Sequence, residues 1–216
     1  MLQLHNYWRS TSSYRARLLL TVKGLPYDYV PVNIKEHEQH GEAYRRISPN
    51  GFVPTLVDGD LVVGQTVNIA EYLDETYPDN PLFPRDPAGK VRVRGFVNSC
   101  IGDVQPRTQK RVREYIDERF SRDVLIEWYQ FWSAEGLSIL ENLAVQDRPD
   151  GAFFHGDAPG AADCFLVAQL YNWRRRDVDL SAAPTLLSIE SACLDLPAFI
   201  AADPENQPDV GQDDRY

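Results

Sequence analysis

The stretch Leu2-Gln3-Leu4-His5-Asn6-Tyr7-Trp8-Arg9-Ser10-Thr11-Ser12-Ser13-Tyr14-Arg15-Ala16-Arg17-Leu18-Leu19-Leu20-Thr21-Val22-Lys23 changes its apolar period within one polar turn. Alternation over Leu2 to Tyr7 predicts a strand, and Ala16, Leu19, Leu20 and Val22 fit a helix over Ser13 to Lys23. Gly24 stops that helix ahead of Pro26. The opening unit is thus strand, polar turn, helix, with Arg9 to Ser13 as the turn.

Working outward, Tyr27 to Val32 reads as a second strand and Glu42 to Ile47 as a short helix ended by Ser48-Pro49. Pro54-Thr55-Leu56-Val57 and Leu61-Val62-Val63 flank Asp58-Gly59-Asp60, a strong hairpin signal, and Gln65 to Tyr77 is a helix. The series β-α-β-α-β-β-α is the thioredoxin-like order, a small α/β layer structure over residues 1–80. Pro78, Pro81, Pro84 and Pro87, with Asp79, Asn80 and Gly89, stiffen the chain after this helix and remove backbone donors, so residues 81–88 are expected to be a linker.

Beyond it the apolar period is helical: Val93, Val97, Ile101 and Val104, then Val112, Tyr115 and Ile116, then Val124, Trp128, Phe131 and Trp132. Later helices cover Asp163 to Trp173 and Pro184 to Leu196, so residues 89–216 are expected to form an all-α domain. The tail from Ala202 to Tyr216 is rich in Asp, Pro and Gln. It has too little apolar surface to offset its ordering entropy and is expected to drape over the surface or stay mobile.

A chain of 216 residues with 43% hydrophobic content can bury a substantial core. Its formal charge of -10 repels nucleic acid and leaves a small molecule or a protein as the expected partner. Basic residues nevertheless gather at Arg107 to Arg113 and Arg174 to Arg176, where a local cationic pocket favours a small anion. Cys100, Cys164 and Cys193 are widely spaced, so no disulfide framework and no metal site is suggested, and buried small hydrophobes are expected. Apolar runs fall far short of the roughly 20 residues of a membrane span. Met1 to Asn6 lacks the regions of a signal peptide, which makes the cytoplasm the default location.

A polar turn leading into a helix suits a thiolate, because free N–H groups and the positive helix end stabilise negative charge. A simpler role for Ser12 or Ser13 is to cap the first helix. Gln65-Thr66 opens another helix, where an N-cap and an anion site are compatible. Val53-Pro54 taken alone is an ordinary start to a strand.

Taken together, Arg9 to Arg17, Asn50-Gly51-Phe52-Val53-Pro54, Gly64-Gln65-Thr66, Gln105-Pro106, Gly156-Asp157 with Ala162-Asp163, and Val178-Asp179-Leu180 resemble the zeta-class glutathione transferases, which act as maleylacetoacetate isomerases. Bacterial maleylpyruvate isomerases are similar to the same pattern. The resemblance implies the glutathione transferase fold, a thioredoxin-like domain followed by a helical bundle, and a homodimer. It implies glutathione as cofactor, with Ser10, Thr11 and Ser12 at its sulfur, and Ser10 and Ser12 as the hydroxyls touching it. Where the family has Ser-Ser-Cys-Ser, this chain has Ser10-Thr11-Ser12-Ser13, which weakens the case for maleylacetoacetate in particular.

By the same resemblance Val53 and Pro54 form a cis-proline turn at the cysteinyl unit, Gln65 and Thr66 hold the γ-glutamyl carboxylate, and Gln39 lies near the glycyl end. Arg9, Gln105, Arg111 and Arg175 are implied as substrate contacts, while Arg174 and Arg176 read as a solvated helix end. Gly160 stands at the usual Ser or Thr cap of a folding motif, and Asp163 is expected to close that helix and to have no part in the active site. The expected function is glutathione-dependent cis-trans isomerisation of a maleyl dicarboxylate, foremost maleylacetoacetate to fumarylacetoacetate. Maleylpyruvate isomerisation and glutathione conjugation are the alternatives within the class. A non-catalytic binding module is the alternative outside it, which the retained hydroxyls argue against.

Overall fold

A computed structural model describes residues 1–146 and 148–211. The chain divides into two compact units, Met1–Leu82 with Leu194–Tyr216, and Phe83–Cys193. In the first unit, β1 (Leu2–Asn6), α1 (Thr11–Val22), β2 (Tyr27–Pro31), α2 (Glu42–Arg45), β3 (Thr55–Asp58), β4 (Leu61–Gly64) and α3 (Thr66–Thr76) follow the expected β-α-β-α-β-β-α order. A four-stranded sheet results, in the order β2-β1-β3-β4, with β1 and β2 parallel and the other pairs antiparallel.

The pleat explains the alternation. Leu2 and Leu4 point into the core and Gln3 out of it. The core-facing side chains meet Leu18, Leu19 and Leu20 of α1, Leu56 of β3, and Ile69, Ala70 and Leu73 of α3, all of them fully buried. Gly59 takes φ +59 in the hairpin turn, a left-handed conformation that glycine adopts without steric cost. Register fixes what lies at each end of the sheet. His5 pairs with Thr55, and Thr55 with Gly64, so the end of β1, the start of β3 and the end of β4 lie side by side.

The second unit contains α4 (Pro87–Ser99), a π turn (Cys100–Val104), α5 (Gln105–Thr108), α6 (Lys110–Arg119), α7 (Arg122–Val145), α8 (Ala161–Arg174) and most of α9 (Pro184–Leu194). Its described residues contain no strand beyond a single bridge, Phe153 to Gly156. Cys100, Cys164 and Cys193 are buried free thiols, as their spacing suggested. No helix among the described residues is long and apolar enough to cross a membrane.

Three boundaries differ from expectation. The helix α1 starts at Thr11 rather than Ser13, because Ser10 is its cap. The segment expected as a linker packs: Leu82 and Phe83 are only 1% and 3% exposed, and α4 begins at Pro87 with the Asp86 carboxylate accepting from Gly89 N at 2.7 Å. The all-α domain expected to reach Tyr216 ends at Cys193, and residues 194–211 pack with the first unit.

That last segment, α10 (Pro197–Ala202) and the turns after it, packs against α1. Polar groups order it where apolar area is scarce: Gln207 Nε2 donates to Ala201 O and Asp203 O, and Asp209, 4% exposed, accepts from Trp8 N and Tyr29 Oη. Through Gly211 the tail is therefore folded, the first of the two alternatives of draping over the surface or staying mobile, and residues 212–216 lie outside the described residues.

Candidate active site

The strand β1 ends at Asn6, and the chain turns through Tyr7, Trp8 and Arg9 into Ser10. Ser10 sits in extended backbone, φ -69 and ψ 123, and its Oγ accepts from Ser13 N at 3.2 Å. Ser10 N in turn donates to Tyr7 O at 3.1 Å, and Tyr7 N donates to Ser13 Oγ at 3.2 Å. The two serines thus close the turn from both sides. Neither Ser12 nor Ser13 is the cap, since the first intrahelical bond runs from Tyr14 N to Ser10 O.

A hydroxyl that accepts from an N–H still has its own proton to give. Ser10 can therefore cap α1 and donate outward at once, so the two roles are not rivals. Ser10, Thr11 and Ser12 are half-buried and the first turn carries no acidic side chain, which leaves the helix end receptive to an anion.

Arg17, one of two arginines of α1 with no exposed surface, supports the turn from behind. Its Nε donates to Ala202 O at 3.0 Å, Nη1 to Asn6 Oδ1 at 3.0 Å and Nη2 to Trp8 O at 2.8 Å. Burial lowers its pKa, against the pull of Tyr29, Tyr27, Tyr14 and Asp209. Sequence reading missed this residue. A helix apolar on nearly every side is a buried helix, so arginines within it need partners, and these partners stand as far as 185 residues away.

Next to the turn in the sheet register lies Val53-Pro54, in the cis form that the resemblance implied. Phe52 O accepts from Tyr44 Oη at 2.7 Å and Ser48 Oγ at 3.0 Å, and Tyr44 Oη also meets Thr55 Oγ1 at 3.0 Å. The backbone ahead of the proline is thereby held on one side. Val53 N–H and C=O bond to no group among the described residues and are half-buried, so an extended ligand can pair with them as an added strand.

The third part is the start of α3. Gln65 has φ +65 and ψ 125, a backbone strain of about 1–3 kcal/mol that concentrates at functional sites, and no side chain caps the helix behind it. No acidic residue stands in its first turn. Thr66 is buried, and its hydroxyl bonds to no group among the described residues, leaving a donor beside free N–H groups. Gln39, in the 3-10 turn Glu38–His40, is also buried, with Oε1 unpartnered among the described residues. As an acceptor it matches a peptide N–H, and only its NH2 end would serve a carboxylate. Gly51, at φ +64, lets the chain pass over it: a Cβ there would lie 2.8 Å from His40 Nδ1 and 2.9 Å from Gln39 O.

Arg9 also belongs to the first unit, its guanidinium 5.2 Å from the Trp8 ring centre. Gln105, Arg111 and Arg175 belong to the second. Gln105 N donates to Cys100 O across the π turn, and Pro106, lacking an N–H, comes at once after it; the shifted register sets the direction of Gln105. Arg111 lies in the first turn of α6 beside Lys110, with no acid there. Cations at a helix N-terminus oppose the dipole, and the same place favours an anion twice over. Arg175 is the C-cap of α8, 5.4 Å from the Tyr171 ring centre.

Its neighbours were expected to be a solvated helix end; Arg174 is exposed at the end of α8, and both arginines have partners besides. Arg174 forms a paired bidentate bridge to the buried Glu190 carboxylate, and Arg176 stacks 5.3 Å from the Tyr129 ring centre. Asp163 closes α8 as expected, accepting from Phe154 N and Gly160 N at 2.8 Å each.

Comparison with known proteins agrees with this geometry. Residues 4–81 match the family model described as glutathione S-transferase, N-terminal domain. The chain is 36% identical to the maleylpyruvate isomerase of a Ralstonia species over 96% of this chain and 99% of that one. It is 35% identical to a probable maleylacetoacetate isomerase of Vibrio cholerae, over 96% and 97%. Among solved structures, the maleylacetoacetate isomerase of Anaeromyxobacter dehalogenans, with dicarboxyethyl glutathione and citrate in its active site, superposes with a TM-score of 0.88 at 39% identity, covering 97% of each chain. With this similarity running along nearly its whole length, the chain belongs to the zeta class of the glutathione S-transferase family.

Proposed function

We propose that the protein is a glutathione-dependent cis-trans isomerase of a maleyl dicarboxylate, acting on maleylacetoacetate or maleylpyruvate. The observation that carries this is the register His5–Thr55–Gly64, which aligns the Ser10 turn, the open Val53 backbone and the start of α3 along one end of one sheet. Two acid-free helix starts flank the unpaired Val53 backbone just ahead of β3, which fits a peptide with a carboxylate at one end and a thiolate further along. When bound, glutathione supplies the thiol whose reversible addition to the double bond lets that bond rotate.

Each residue then has a task. Ser10 Oγ–H donates to the sulfur and, with the α1 dipole, favours its thiolate form; each unit by which the thiol pKa falls is about 1.4 kcal/mol of that preference. Thr11 and Ser12 complete the polar collar. Val53 pairs with the cysteinyl unit ahead of Pro54, Gln65 and Thr66 take the γ-glutamyl carboxylate, and Gln39 takes the far end. Arg9, Arg111 and Arg175 hold the substrate's carboxylates and the negative charge that develops on its carbonyl oxygen, and Gln105 orients it. The first unit is read as the glutathione domain and residues 83–193 as the substrate domain. A cytoplasmic homodimer completes the proposal, supported by the family and the buried thiols.

The test is direct. Purified protein with glutathione is given maleylacetoacetate and maleylpyruvate separately, with absorbance and the amount of free glutathione monitored together. Turnover of either substrate with glutathione returned unchanged is the expected result. Loss of glutathione into a product would make the protein a conjugating transferase, and no turnover of either substrate would refute the isomerase assignment.

A further inference from the structure

The folded tail brings one carboxylate to the active-site turn from 201 residues away. Asp209 Oδ2 accepts from Trp8 N at 3.1 Å, and its Oδ1 accepts from Tyr29 Oη at 2.5 Å. Trp8 is two residues ahead of Ser10, and the Trp8 carbonyl is held from the other side by Arg17 Nη2 at 2.8 Å. Arg17 itself is fastened to the same tail through Ala202 O. Both faces of the Trp8 peptide position are thus gripped by groups that depend on the C-terminal segment. Tyr29, on the neighbouring strand β2, orients the carboxylate, and burial together with that hydrogen bond pushes its phenol pKa well up, so it stays a donor.

We propose that Asp209 is a positioning residue for the active-site turn: by holding Trp8 N–H it fixes the backbone that aims Ser10 Oγ at the glutathione sulfur. This rests on the glutathione site proposed above. The chemistry of the grip fits the task. A carboxylate is the strongest acceptor available for a lone backbone N–H, and a bond to a charged acceptor is about twice as strong as a neutral one. The tail carries too few apolar groups to act by packing alone. It lacks contact with the sulfur in this assignment, so its effect must travel through Trp8 and Ser10.

Full-length Asp209→Ala, Asp209→Asn and Tyr29→Phe variants test this with two readouts. The first is amide hydrogen exchange at Trp8 in ligand-free protein, which needs no glutathione. Asp209→Ala is expected to speed it by about tenfold or more relative to amides in β3, the loss of one charge-assisted hydrogen bond. Asp209→Asn, whose Oδ1 still accepts from Trp8 N, is expected to recover most of the protection. Tyr29→Phe, which leaves the Trp8 bond but frees the carboxylate, falls between and serves if the alanine variant fails to fold.

The second readout is the thiol pKa of bound glutathione, from thiolate absorbance against pH, together with kcat. Both are expected to move in Asp209→Ala, the pKa upward and kcat down about tenfold, with the KM for glutathione changed less than about twofold. Exchange at Trp8 equal to wild type, or faster exchange with an unchanged thiol pKa and kcat, overturns the proposal. Absence of glutathione binding by the wild type refutes the site assignment instead, and the exchange result still decides whether Asp209 fixes the turn.

Discussion

The helix starts at the end of the sheet, α1 and α3, and those of α4, α8 and α9 in the second unit are treated in opposite ways. In the second unit α8 is shut by its own Asp163, α9 receives the Glu141 carboxylate on Thr185 N and Leu186 N at 3.0 Å each, and α4 has Asp86 on Gly89 N. In the first unit α1 and α3 carry no acid in their first turns, and α3 has no side-chain cap at all. The physical object is the same in each case, a set of unpaired N–H groups with a partial positive charge. At α4, α8 and α9 the protein supplies the anion itself; where α1 and α3 meet the end of the sheet it supplies none, and in the proposed site that place is the ligand's. Two helices of the second unit depart from the rule: α5, which begins at Gln105, has neither an acid nor a side-chain cap, and α6 has no acid and two cations in its first turn; Gln105 and Arg111 are both substrate candidates.

The largest effect is expected from removing the outward donor of α1. Ser10→Ala should lower kcat about 10²- to 10³-fold, in the range of losing one oxyanion donor, and raise the thiol pKa of bound glutathione. The lost cap costs about 1 kcal/mol of stability besides, so Ser10→Gly, which has no hydroxyl to donate and as a cap costs only about a few tenths of a kcal/mol, separates the two roles. Ser12→Ala should lower kcat less than about tenfold, since one neighbouring donor stays in place. Equal and small effects of both would mean that α1 is closed by its own side chains like α8.

The opposite experiment opens a closed helix. Asp163 is wholly buried, and burial pushes its carboxyl up to about 6, with the Gly160 and Phe154 N–H groups pulling it back. Because the folded value lies above the unfolded one of about 3.9, the stability it contributes is complete below about pH 4 and is lost as pH rises through 6. Asp163→Asn should therefore cost more in denaturant unfolding at pH 4 than at pH 7, the gap narrowing by at most about 3 kcal/mol, the two-unit shift at about 1.4 kcal/mol each. A gap that widens with pH would mean that the two N–H bonds hold the ionised form, and α8 would then resemble an anion site more than a plain cap.

How much of the molecule was legible depends on the range of each interaction. The order of elements was written locally in apolar periods, a hairpin turn and two proline-marked boundaries, and the proposed site rests on the short motifs Ser10 to Ser13, Val53-Pro54 and Gln65-Thr66, each legible within a few residues. The choice of Ser10 over Ser12 as cap was not legible, because it depends on where β1 releases the chain. Arg17, Tyr29 and Asp209 were missed since their bonds span up to 201 residues, and the tail's composition does not choose between a draped and a mobile segment. Polar residues that order a segment by bonding buried groups look, in sequence, like residues that leave it loose.

The effect expected of α3 falls on binding and not on turnover, because in the proposed site the backbone does most of the holding there. Thr66 Oγ1 is one donor among the N–H groups of an open helix start, so Thr66→Val, close in shape, removes the single bond proposed to the γ-glutamyl carboxylate, worth about 1.5 kcal/mol at the low end for a charged acceptor. The KM for glutathione should rise about tenfold, with kcat and the thiol pKa little changed, because the lost contact is equal in ground and transition states. Thr66→Ser should return the wild-type value. If Thr66→Val instead lowers kcat at saturating glutathione, the carboxylate contact aligns the sulfur as well as anchoring the peptide, and the starts of α1 and α3 act as one device instead of two independent anion sites.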